Sequence, residues 1–143
     1  MNIDRADWHY GGDFPKDLPR ENGATHIGMF VGWAIRRGLV GELHRELDPE
    51  AVEAVADGRM SGRAFLLDLC DEKFTNEVLD DEGNRFAGAY YAKGYFEDYA
   101  ECVGADLPTL YHVADSPENR AKVEAMLDRR FDQWRRGRLG SSR

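Results

Sequence analysis

The stretch Asn22–Leu43 reads NGATHIGMFVGWAIRRGLVGEL, and its middle decides the fold. From Ile27 to Ile35, nine residues in a row carry no charge, and the Trp33 indole N–H is the only polar side-chain group among them. A helix drawn through this run is apolar on every side, which places it inside a core or a membrane. A bilayer needs about 20 apolar residues. The run is too short for that, so it predicts a buried central helix over 24–37. Gly28 and Gly32 are four apart and fall on one stripe, where the missing side chains admit another backbone. Arg36 and Arg37 suit the negative end of the helix dipole, Gly38 suits the residue after the C-cap, and Asn22 is the candidate N-cap.

The rest of the chain reads as helices that can pack around this one. Short helices are expected at 40–45 and 49–57, the second opened by Asp48-Pro49-Glu50. Ser61 caps a helix over 62–73, and a helical turn is expected near Thr75–Val78. Asp81–Asn84 marks a turn or helix start. Residues 86–99 are read as helical because Ala, Glu and Lys separate the aromatics. Their mixed spacing leaves open two helices broken near Gly94, or a helix followed by an extended piece. Leu110–Val113 is a turn or a strand. Ser116-Pro117-Glu118 opens a last helix, with Val123, Met126, Leu127, Phe131 and Trp134 on one face, and Gly137 closes it. Before the central helix, Trp8, Tyr10 and Phe14 alternate with Gly and Pro, so residues 1–21 read as an irregular aromatic segment laid over the core. The fold class is mainly α: one domain over 1–137, about six helices around the central one, and a flexible tail at 138–143.

Charge narrows the function classes. The 143 residues carry a formal net charge of −8, and the middle of the chain, 41–110, has 17 acids against six bases. General nucleic-acid binding needs a basic footprint, and anionic membranes repel such a surface. The two cysteines, Cys70 and Cys102, lie in apolar surroundings and read as small core hydrophobes. No basic residue is near them in sequence, although His112 could approach in space. With no secretion signal at the N-terminus, they fit a reducing cytoplasm.

Few motifs carry chemistry. An EF-hand starting at Asp80 fails, with Arg85 where Gly is needed and Tyr91 where Glu is needed. There is no P-loop, no GxGxxG after a strand and no GxSxG elbow. One polar constellation stands out: His9, Asp13 and His26, two imidazoles and a carboxylate able to hold a divalent metal. His26 lies in the first turn of the central helix, where the dipole favours its neutral form. The competing reading is that His26 hydrogen-bonds the N-terminal segment and orders it. A second feature is the acidic, tyrosine-rich set Asp80, Asp81, Glu82, Tyr95, Glu97 and Asp98, a composition suited to a basic protein partner.

At WHYGGDFP (8–15), GATHIGMFVGWAI (23–35), CDEKF (70–74) and LYHVAD (110–115), the chain resembles a family of small uncharacterised bacterial proteins. The resemblance implies no activity and no site residue. In size and acidity the chain is similar to immunity proteins that neutralise basic toxins, an analogy of type and not of motif. The leading expectation is therefore a non-enzymatic protein-binding domain, an immunity protein among the candidates, with a basic protein as partner and no cofactor. The alternative is a small metal-dependent hydrolase using His9, Asp13 and His26. A homodimer is the third reading.

Overall fold

The computed structural model describes residues 2–10 and 14–137. The central helix forms as expected. Helix α1 (Thr25–Arg36) is buried along its whole length except Arg36. Its C-terminus ends on Gly38, whose φ of 78° is the left-handed conformation that terminates helices. The N-terminus differs from the expectation. A 3-10 turn, Arg20–Ala24, leads directly into α1, and Asn22 spends its amide on the Tyr111 carbonyl at 2.8 Å instead of capping the helix.

Helices α2 (Glu42–Leu47), α3 (Pro49–Ala56) and α4 (Gly62–Leu69) follow. The α1–α4 contact is close because glycines face each other: Gly28 and Gly32 of α1 meet Gly62 and Arg63 of α4. Ser61 caps α4 through the Ala64 N–H at 3.0 Å. The helix stops at Leu69, earlier than predicted, because Asp71 and Glu72 turn left-handed, with φ of 53° and 62°. That turn aims Lys73–Thr75 (β2) back along Asn2–Arg5 (β1), and the two pair antiparallel. The start of the chain is thus a strand and a 3-10 turn (Ala6–His9), not irregular chain. At Thr75–Val78, where a helical turn is expected, the chain makes a turn closed by the Val78 N–H on the Thr75 carbonyl at 3.1 Å.

Asp80 caps α5 (Asp81–Tyr90) through the Gly83 N–H at 2.8 Å. The helix continues unbroken into π-helical Tyr91–Tyr95, then α6 (Phe96–Tyr99), then π-helical Ala100–Gly104. Gly94 breaks nothing. Wider i→i+5 turns re-phase the rod, which is why aromatics at irregular spacing all reach the core. Tyr90, Tyr91, Tyr95 and Tyr99 are all buried. Leu110–His112 is a 3-10 turn, and α7 (Pro117–Arg135) closes the bundle with Ser116 as N-cap. Phe30 of α1 is the hub, with Trp33, Phe74, Phe86, Tyr91 and Tyr95 around it at ring-centroid distances of 5.0–6.1 Å. The protein is a mainly α single domain, and no helix among the described residues is long and apolar enough to cross a membrane.

Candidate metal centre

The fold brings His9 and His26 together, with ring centroids 4.5 Å apart, edge to face. His26 comes from the first turn of α1. His9 comes from the 3-10 turn that β1–β2 pairing lays over that turn. Asp13 lies outside the described residues. The carboxylate between the imidazoles belongs to Asp4, whose side chain points inward from β1.

Asp4 is almost sealed from solvent, at 4 % exposure, and both of its oxygens are occupied. Oδ1 accepts from His9 Nε2 at 2.9 Å and from the Arg5 backbone N–H at 2.8 Å. Oδ2 accepts from the Tyr91 hydroxyl at 2.7 Å and from His26 Nε2 at 3.3 Å. Burial opposes ionisation of this carboxyl, but the bonds from His26, His9 and Tyr91 outweigh it and hold Asp4 well below the usual carboxylate range. His26 is 1 % exposed, and burial pulls its pKa below 6.5 against the attraction of Asp4. At neutral pH the pair is therefore a carboxylate facing a neutral imidazole. These are the protonation states a metal requires of its ligands.

A second ring of contacts fixes the first. His9 Nδ1 lies 2.8 Å from the Tyr111 hydroxyl. With Nε2–H donating to Asp4, Nδ1 accepts the hydrogen bond from the Tyr111 hydroxyl. Burial raises the Tyr91 and Tyr111 hydroxyls above their ordinary range, so both stay protonated. Tyr95 donates to the His26 carbonyl at 2.6 Å, tying the π-helical segment to the start of α1. Phe96 packs at a tilt against both imidazoles, 4.8 Å from His26 and 6.0 Å from His9, and is itself 36 % exposed. The three potential ligand atoms lie within 4.8 Å of one another. A tetrahedral ion with bonds of about 2.0–2.1 Å spaces its ligand atoms by about 3.3 Å, so these three groups would draw together to hold one.

The acidic set is divided by the fold. Tyr95 and Asp98 are buried, Asp98 in a hydrogen-bonded pair with Arg130, so neither belongs to a contact surface. Both face inward because the π-helical turns rotate them there. Asp80 is a helix cap, and Glu82 pairs with Arg135 at 3.1 Å. Asp81 and Glu97 remain exposed.

Sequence reasoning missed Asp4, Tyr91 and Tyr111. Asp4 had a faint signal: it stands next to Ile3 in a short alternating segment, and only pairing with β2 decides which face turns inward. Tyr91 and Tyr111 had none. A family model described as Domain of unknown function (DUF7832) matches residues 2–113, a span that contains every residue of this centre. No curated protein and no solved structure matches the chain.

Proposed function

The chain belongs to the family described as Domain of unknown function (DUF7832), and we propose from its side chains that it is a metal-binding domain, a divalent ion being held by Asp4, His9 and His26. One observation carries this reading: two imidazole Nε2 atoms converge on one buried carboxylate, and each ligand type has an outer partner. Tyr111 sits on the far nitrogen of His9, and Tyr91 and the Arg5 N–H sit on Asp4. Outer partners of this kind orient metal ligands and fix the tautomer. Two nitrogens and one oxygen suit zinc or a neighbouring first-row ion. Were an ion held there, His9 would present its Nε2 lone pair to it and donate Nδ1–H to the Tyr111 oxygen. Because Asp4 and His26 are sealed and Phe96 covers both rings, the site suits holding an ion better than turning over a substrate. Hydrolysis would require approach past Tyr111 and Phe96.

The test is metal content after incubation with Zn²⁺ and dialysis, read by mass spectrometry alongside the melting temperature. Wild type is expected to retain about one ion per chain and to melt higher than in chelator. His9→Gln and Asp4→Asn are expected to retain less than about a tenth of that. Wild type that holds no Zn²⁺, Mn²⁺ or Fe²⁺, or a His9→Gln variant with undiminished content, overturns the reading.

A second observation favours a protein-binding role, an immunity function among its forms. Leu43 and Leu47, four apart on α2, are 39 % and 69 % exposed. Glu42 and Glu46 on the same helix, and Glu50 and Glu53 on α3, are exposed as well. This face suits a basic partner segment that carries apolar side chains. Affinity capture with low- and high-salt washes should recover a basic protein with wild type and lose it with Leu47→Lys. Equal recovery by both forms counts against this face.

A further inference from the structure

Away from that centre, three side chains from α2 and the end of α4 stand in line. Cys70 Sγ lies 3.7 Å from His44 Nε2, and His44 Nδ1 lies 3.0 Å from Asp48 Oδ2. An ionised carboxylate only accepts, so Nδ1 carries the proton that goes to Asp48. Nε2 therefore presents its lone pair to the thiol. The three ligand-capable atoms are strung through the imidazole and do not converge on a point. That is the order of a nucleophile, a base and an orienting group, not of a chelate. Phe65 packs edge-on against the imidazole at 5.1 Å, and His44 is 5 % exposed, which fixes the ring.

Two independent features accompany the line. Cys70 closes α4 and is followed by Asp71 and Glu72, both non-glycine residues in the left-handed region, the kind of strain that is maintained only where the surroundings dictate it. Cys70 is only partly buried, whereas its base is almost wholly so. Cys102, also partly buried, has no imidazole within hydrogen-bond distance among the described residues.

We propose that Cys70, His44 and Asp48 form a nucleophilic thiol site that accepts an acyl group from an activated ester or thioester. Leu43 and Leu47, one residue before His44 and three after it, are exposed apolar side chains. In the transfer step Sγ bonds to the carbonyl carbon and the Sγ proton passes to His44 Nε2. The bond from that carbon to the leaving oxygen or sulfur breaks, and His44 returns the proton to the leaving group. Water then cleaves the enzyme thioester with His44 as base, releasing the carboxylic acid and restoring the thiol. Burial and the Asp48 charge push the Cys70 thiol up to about 12, so the resting group is S–H and attack depends on proton transfer to His44.

The probe is p-nitrophenyl acetate, with nitrophenolate release followed optically and the acetylated residue located by peptide mass spectrometry. The expected result is acetylation at Cys70, unchanged in Cys102→Ala and abolished in Cys70→Ala. Loss of the base in His44→Gln should slow it about 100-fold, the usual effect of removing a general base. Asp48→Asn, at a more exposed position, should slow it about tenfold and serves if His44→Gln does not fold. The proposal is overturned if Cys70 is not acetylated, if Cys102 reacts as fast, or if a folded His44 or Asp48 variant reacts at the wild-type rate.

Discussion

Gly62→Ala is expected to destabilise the protein by at least about 3 kcal/mol, at the upper end of overpacking effects, or to prevent folding. A Cβ at Gly62 would collide with the Gly28 carbonyl oxygen and would stand 2.6 Å from the Gly32 nitrogen. Every one of these neighbours is backbone of the fully buried helix α1. None can rotate away. The only relief is to move α4 off α1, which unpacks Phe65 and Leu66, both 0 % exposed. Urea unfolding read by circular dichroism measures the loss. Gly88→Ala is the control: a Cβ there meets nothing within 4 Å, and Gly88 lies inside α5. That change should stabilise by about 0.5–1 kcal/mol through helix propensity and the entropy of the unfolded chain. Equal effects at the two positions would refute the glycine seam between α1 and α4.

Asp98→Ala is expected to cost about 3–5 kcal/mol, the usual range for removing one partner of a buried ion pair. Arg130 Nε and Nη2 reach the two Asp98 oxygens at 2.8 and 3.0 Å, and the Tyr90 hydroxyl donates to Oδ2 at 2.5 Å. The Asp98 side chain is 3 % exposed and that of Arg130 is 11 % exposed. Truncating the carboxylate strands a guanidinium charge and a phenol at the junction of the π-helical rod and α7. Replacing Arg130 as well, in Asp98→Ala/Arg130→Met, removes the stranded charge and should recover part of the loss. A double variant that is less stable than the sum of its singles would contradict that account.

These two predictions rest on different kinds of information. The Gly28/Gly32 stripe was legible from spacing alone, because two glycines in an otherwise fully apolar helix require a compensating neighbour. That the neighbour is Gly62 was not legible, since nothing local links a helix-start glycine to a stripe thirty residues earlier. Asp98 illustrates the opposite failure. It lies among carboxylates in the most acidic part of the chain and reads as surface. Only the π-helical turns, which change the angular step per residue, rotate it inward to Arg130.

The candidate centre divides in the same way. His9 and His26 could be paired from sequence because an aromatic N-terminal segment must cover the start of a buried helix. Asp4, the carboxylate that meets them, was not legible, because only the pairing of β1 with β2 turns its side chain inward. The Cys70–His44–Asp48 line was invisible for a related reason. His44 and Asp48 share one helical face by their i, i+4 spacing, but the thiol reaches them only because α4 stops at Leu69 and leaves Cys70 as its C-cap.

What the sequence determined by itself is what local physics controls. This covers the buried helix, the caps at Ser61 and Ser116, the mainly α class and the acidic middle. Hydrophobic run length, capping geometry and charge need only neighbouring residues. What only the tertiary structure decided is which distant side chains meet: Asp4 with His26, Cys70 with His44, Asp98 with Arg130. Those meetings depend on the left-handed turn at Asp71–Glu72 and on the two π-helical stretches, where a shift of one residue moves a side chain from solvent to core.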